Sequence, residues 1–217
     1  MNRHAIRTSS LLLSLLFLGS LLLVPLAAAA ADVSPALTSE ERQKLFEYLR
    51  SSEERFLALI EGVDELAWSW KPAPERWSVG ECAEHIVRTE RALFETARRA
   101  LAAPENPEWA EKTKEKGDFI ERVMPDRTGR AQAPQEVRPT DGLSRAQVMD
   151  VFRTTREELS KLLEEQSLPL KSHTEEHPFP VFGTLNAYQW ILYVPLHTIR
   201  HSKQIEEVKA AAGYPGT

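Results

Sequence analysis

The chain has 217 residues, 42% of them hydrophobic and 27% charged, with a formal net charge of −5. These proportions allow a packed core and exclude global disorder. The mildly acidic balance, with no basic cluster, excludes a nucleic-acid partner. The single cysteine, Cys82, excludes an internal disulfide and a cysteine-built zinc site.

Residues 1–31 read as a secretory signal peptide. Arg3 and Arg7 form a basic front, Leu11 to Leu26 is almost wholly apolar, and Ala27 to Ala31 offers small-x-small cleavage options. Left uncleaved, the same run is about long enough to anchor the chain in a bilayer, which would be its only membrane contact. With the leader removed, two arginines go and the net charge moves from −5 to −7. The expected product is a periplasmic or secreted domain over residues 32–217.

Four helices are expected beyond the leader. The first runs from about Ser39 to Glu61, opened by the Thr38–Glu41 capping box, with Leu45, Leu49, Phe56, Leu59 and Ile60 at helical spacing. Residues 62–77 carry Trp68, Trp70 and Trp77, too many aromatic rings for a solvated loop, and are expected to pack under the bundle. The second helix runs from about Val79 to Ala103 behind a Ser78–Glu81 box. Residues 104–143 form a long proline-rich connection, with a short helix expected near Pro107 to Arg122; a loop of this length is often functional or mobile. The third helix runs from about Arg145 to Gln166 behind a Ser144–Gln147 box, with Val148, Val151, Phe152, Leu159, Leu162 and Leu163 facing inward. The fourth runs from about Leu185 to Ala212, capped by Thr184 and stopped by Gly213, with a kink but no break at Pro195. Strand signals are sparse. The expected class is all-α, a four-helix bundle.

Six histidines occur in the chain. His197 and His201 are four residues apart and share one helix face, a spacing that lets two imidazoles chelate one ion. Ile191, Val194 and Ile205 lie near that face and turn it toward the core. His85 falls among Val79, Ala83, Ile86 and Leu93 on the second helix. Bundle cores commonly assemble metal sites from facing helices. The plain alternative is three hydrogen-bonded core histidines. A three-imidazole set suits a divalent first-row ion, with zinc, nickel, iron and manganese all compatible. Tyr193 and Gln189 are either pocket-lining or ordinary packing residues. Glu81 is explained by its cap, Glu84 and Arg200 fall off the histidine faces, and Cys82 reads as a small core residue. His173 and His177, beside Pro178, read as structural.

Three segments together resemble the DinB-like superfamily: Trp77 through His85, Phe182 through Trp190, and His197 through Ile205. The Trp70-Lys-Pro-Ala-Pro74 stretch matches as well. The resemblance spans about residues 40 to 210. It implies an up-down-down-up four-helix bundle whose metal triad falls on His85, His197 and His201. It further implies a metal-dependent hydrolase acting on a small molecule or, alternatively, a transferase of low-molecular-weight thiols. A non-catalytic bundle binding metal or a small ligand is a third possibility. Homodimers are common in the family. The leader disfavours the transferase, because such thiols are kept in the cytoplasm.

Overall fold

A computed structural model describes residues 34–129, 132–140 and 142–215. The expected signal peptide therefore lies outside the described residues. Helix α1 spans Ser39–Ile60, α2 Glu65–Ser69, α3 Val79–Ala102, α4 Trp109–Lys112, α5 Lys116–Val123, α6 Arg145–Leu163 and α7 Ala187–Lys209. A 3-10 turn covers Gln135–Val137. Two three-residue strands, β1 at Thr174–Glu176 and β2 at Thr184–Asn186, pair antiparallel. Among the described residues the chain is all-α apart from this hairpin. No helix among the described residues is long and apolar enough to cross a membrane.

The long helices start where the capping chemistry places them. Thr38, Ser78 and Ser144 each accept from the backbone N–H three residues on, and Glu41, Glu81 and Gln147 reach back. The fourth long helix departs from the sequence reading. Its cap is Asn186, paired reciprocally with Gln189, rather than Thr184. Thr184 instead sits in β2, where its hydroxyl donates to Glu176. The strand keeps the backbone extended through Asn186, which is both its last residue and the cap, so α7 starts only after it. A strand of three residues is also too short to leave an alternating pattern, which is why the hairpin escapes sequence reading. α7 runs unbroken through Pro195. The expected helix ends at Gln166 and Ala212 fall instead at Leu163 and Lys209. The single helix expected near residues 107–122 is two, α4 and α5.

α7 packs most extensively on α3 and then on α1, while α6 packs on α3. The 62–77 segment does lie under this assembly. Trp68 is buried and donates from Nε1 to the Leu143 carbonyl. Its indole lies against Gly80, where a Cβ would fall 2.8 Å from Trp68 Cδ1, so the first turn of α3 needs a glycine there.

The four long helices also meet at one buried polar cluster. Glu90 on α3 is 0% exposed and Arg156 on α6 is 5% exposed. Arg156 donates to Glu90 from Nε at 2.9 Å and from Nη2 at 2.5 Å. It also donates to the Leu49 carbonyl and to Ser52 Oγ of α1, each at 3.0 Å. Thr198 of α7 donates a short hydrogen bond to Glu90. Phe152 lies beneath the guanidinium, 4.9 Å from ring centre to Cζ. Removing one member of such a pair strands a buried charge. Arg156→Ala is expected to cost about 3–5 kcal/mol in urea unfolding, while Arg156→Met combined with Glu90→Leu recovers most of that loss.

Candidate metal centre

α3 and α7 bring the three core histidines together. His85 comes from the second turn of α3, and His197 and His201 lie one turn apart on α7. All three are buried. Ring centres are 4.9 Å apart for His85 and His197, 4.5 Å for His85 and His201, and 4.4 Å for His197 and His201. One candidate ligand atom from each ring lies within 4.8 Å of the others. Trp77 packs on the group, its ring 4.8 Å from His85 and 6.2 Å from His201.

The hydrogen bonds determine which ring nitrogens are free. His85 Nδ1 is 2.7 Å from the Val137 carbonyl. A carbonyl only accepts, so Nδ1 carries the proton and Nε2 keeps its lone pair. His201 Nδ1 is 2.8 Å from Gln204 Oε1. Arg127 donates to that same oxygen at 3.1 Å, which marks it as an acceptor and leaves His201 Nε2 free in the same way. His197 Nδ1 is buried and has no hydrogen-bond partner among the described residues.

Burial dominates the electrostatics. It lowers the His85 pKa from 6.5 to about 4, against a smaller opposing effect of the Val137 hydrogen bond. His197 and His201 are held well below the usual imidazole value, first by burial and then by neighbouring cationic forms of the other rings. At neutral pH the site is therefore three neutral imidazoles with lone pairs close together. An orphaned buried nitrogen is unfavourable. A cation bound by the three rings would relieve it, and neutral imidazole is the protonation state ligation requires. The donor set thus fits a divalent first-row ion.

The other candidates separate cleanly. Gln189 is structural: it belongs to the α7 cap and donates to the Thr113 carbonyl. Tyr193 is buried with its ring 6.3 Å from His197, and burial raises its pKa, so it stays protonated at neutral pH. Cys82 is a buried core thiol whose pKa burial pushes up. Glu84 is buried away from the triad, where it accepts from the backbone N–H of Thr140 and Leu143. Arg200 donates to the Gly129 carbonyl. His173 bonds the Ala103 carbonyl. His177 stacks on rings of α7 and is not one of the clustered histidines.

Sequence reading misses the supporting residues. Val137 comes from the proline-rich connection, and its carbonyl leaves no side-chain signature. Gln204 lies one turn after His201 on the same face, a legible spacing. Arg127 is 77 positions from the Gln204 it contacts and carries no such signal.

Partners that orient a ligating histidine tune metal affinity. Gln204→Ala is expected to weaken zinc binding about 10–100-fold in competition titrations, with the fold intact. The pKa shift of His85 gives a second expectation for the metal-free protein. Its unfolded chain takes up protons near pH 6.5, whereas the folded His85 resists protonation down to about pH 4. Stability is therefore full above that window and falls as pH drops through it. The urea midpoint should fall between pH 7 and pH 5, and fall less in His85→Gln.

Comparison with known proteins agrees with this architecture. The family model of the DinB superfamily matches residues 48–205, a span that includes all three clustered histidines. The chain is similar to Uncharacterized protein YuaE of Bacillus subtilis (strain 168), 26% identical over 151 residues, covering 69% of this chain and 88% of that protein. No solved structure matches. With a family match across most of its length and a buried histidine cluster between its two most closely packed helices, the chain belongs to the DinB superfamily.

Proposed function

We propose that the protein is an exported metal-dependent hydrolase acting on a small molecule, with His85, His197 and His201 as ligands to a divalent ion. The observation that carries this reading is the buried, unpartnered Nδ1 of His197 beside two rings whose Nε2 atoms are free. A divalent ion bound there supplies Lewis acidity, lowering the pKa of water or polarising a carbonyl. The chain's own residues do the rest. Val137 and Gln204 hold two imidazoles in one tautomer and orientation. Trp77 covers two of the rings and restricts water. Tyr193, its ring 6.3 Å from that of His197, keeps a protonated hydroxyl that could donate to a substrate oxygen. The basic front, apolar run and alanines of residues 1–31 support export.

Elemental analysis of the purified mature protein is the first test. About one equivalent of zinc, nickel, iron or manganese is expected, and His197→Ala should lose most of it; full retention would refute the triad. Ester and amide panels should show turnover that a chelator abolishes and added metal restores. Turnover that requires an added low-molecular-weight thiol would replace hydrolysis with thiol transfer. A reporter joined after residue 35 should be active only if exported, and a cytoplasmic product would remove the export claim.

A further inference from the structure

Arg127 lies on the segment that follows α5, and its side chain spans two residues of α7. Its Nε and Nη2 donate to the two carboxylate oxygens of Glu207, at 2.8 and 2.9 Å. Its Nη1 donates to Gln204 Oε1 at 3.1 Å. Gln204 and Glu207 follow His201 at steps of three residues, so all three project from one side of the helix. His201 Nδ1 meets that same Oε1 at 2.8 Å. Other contacts hold the segment in place without Arg127. Lys203 Nζ donates to the Pro125 carbonyl at 2.9 Å and Arg200 Nη2 to the Gly129 carbonyl at 2.5 Å. Asp126 accepts from both the N–H and the hydroxyl of Thr128.

A glutamine amide has an acceptor end and a donor end of nearly the same size and shape. Turned one way, Gln204 accepts from His201 Nδ1–H and leaves Nε2 with its lone pair. Turned the other way, its NH2 donates to Nδ1, and the ring proton moves to Nε2, the nitrogen that a cation needs bare. The amide by itself does not choose between these states. Arg127 does. A guanidinium is always charged and only donates. Opposite Nη1, the NH2 end of Gln204 would set donor against donor beside a cation. Glu207 grips the guanidinium through both oxygens, which fixes its direction as well as balancing its charge.

We propose that Arg127 is a positioning residue of the metal centre: by forbidding the other orientation of the Gln204 amide, it determines which nitrogen of His201 is free to ligate. The proposal rests on reading His201 as a ligand. The contacts run inward from a partly exposed ion pair, Arg127 at 22% and Glu207 at 45% side-chain exposure, to a buried ring. Loss of the guanidinium moves no ligand. It lets the amide turn, and zinc affinity falls with the fraction of molecules left in the competent orientation. The effect is carried by the place of one proton rather than by a displaced side chain, which separates it from loosened packing.

Arg127→Met keeps the length of the side chain and removes its donors. In the full mature protein, stripped of metal and held at about pH 8 where imidazole is neutral, two-bond proton–nitrogen spectra read the ring tautomers directly. Wild type should show His201 protonated at Nδ1, and Arg127→Met should add a population protonated at Nε2. Zinc affinity in competition titrations should fall about tenfold, the lower end for a lost outer partner of a ligating histidine. Gln204→Glu supplies the control. A carboxylate has no donor end, so in that background Arg127→Met should leave the His201 tautomer and the zinc affinity unchanged. Exposed ion pairs contribute little to stability, so the variants should keep the wild-type urea midpoint. The wild-type spectrum tests the proposal without any variant. A wild-type His201 protonated at Nε2, an unaltered tautomer in Arg127→Met, or an equal loss of zinc affinity in the Gln204→Glu background would each overturn the role of Arg127. A protein that shows the tautomer change but takes up no zinc loses the metal reading alone. One that binds zinc and is indifferent to Arg127→Met loses the positioning role alone.

Discussion

The Arg156–Glu90 pair is the interaction on which the arrangement of the bundle depends. Helices packed by apolar side chains alone tolerate small slides past one another, because dispersion and area burial are not directional. Two buried charges do not. Taking both out of water is unfavourable, and only near-ideal geometry offsets it. Here the guanidinium reaches Glu90 of α3 and Leu49 and Ser52 of α1, while the carboxylate also takes the hydroxyl of Thr198 on α7. A slide of any one long helix would leave a buried charge partly unpaired. The cluster therefore selects one register out of several that the apolar stripes would accept.

That register is what makes a histidine site. Thr198 follows His197 directly, and Glu90 lies on the same helix as His85. The hydrogen bond between Thr198 and Glu90 thus ties α7 to α3 within about a turn and a half of all the imidazoles. A shift of one residue on either helix would carry a histidine off the shared face. In the metal-free fold the three rings are buried and held neutral, and one of them has a buried nitrogen without a partner among the described residues. The stability that holds them comes from the buried apolar core, while the ion pair fixes the register.

The long connection between α3 and α6 closes the site rather than merely joining helices. Val137 orients His85, Arg127 engages Gln204 behind His201, and Glu84 accepts from the backbone N–H groups of Thr140 and Leu143. The β-hairpin stands at the other side, touching α7 through aromatic rings one turn before His197. The two segments are attached in different ways. One is bound by charge-assisted hydrogen bonds, and the other by ring faces that separate at lower cost.

Much of this was written locally in the chain. The capping boxes at Thr38, Ser78 and Ser144 and the apolar stripes identify three long helices, because both signals act within four residues. His197 and His201 share a face for the same reason. Glu90 and Arg156 were legible in principle: each interrupts an apolar stripe at a core position, Glu90 between Ile86 and Leu93, Arg156 between Phe152 and Leu159, and their charges are opposite. Local signals cannot state which stripe faces which. Only the tertiary structure put Glu90 against Arg156, and it alone carried the carbonyl of Val137 to His85 across 52 positions. The hairpin that moves the start of α7 from Thr184 to Asn186 also needs a partner strand ten residues away in sequence. The sequence by itself determined helices, caps and a pair of histidines on one face, since those depend on neighbours along the chain. The closure of the site, the tautomers of its rings and the aromatic cover beside it came from packing, since they depend on residues that only folding brings together.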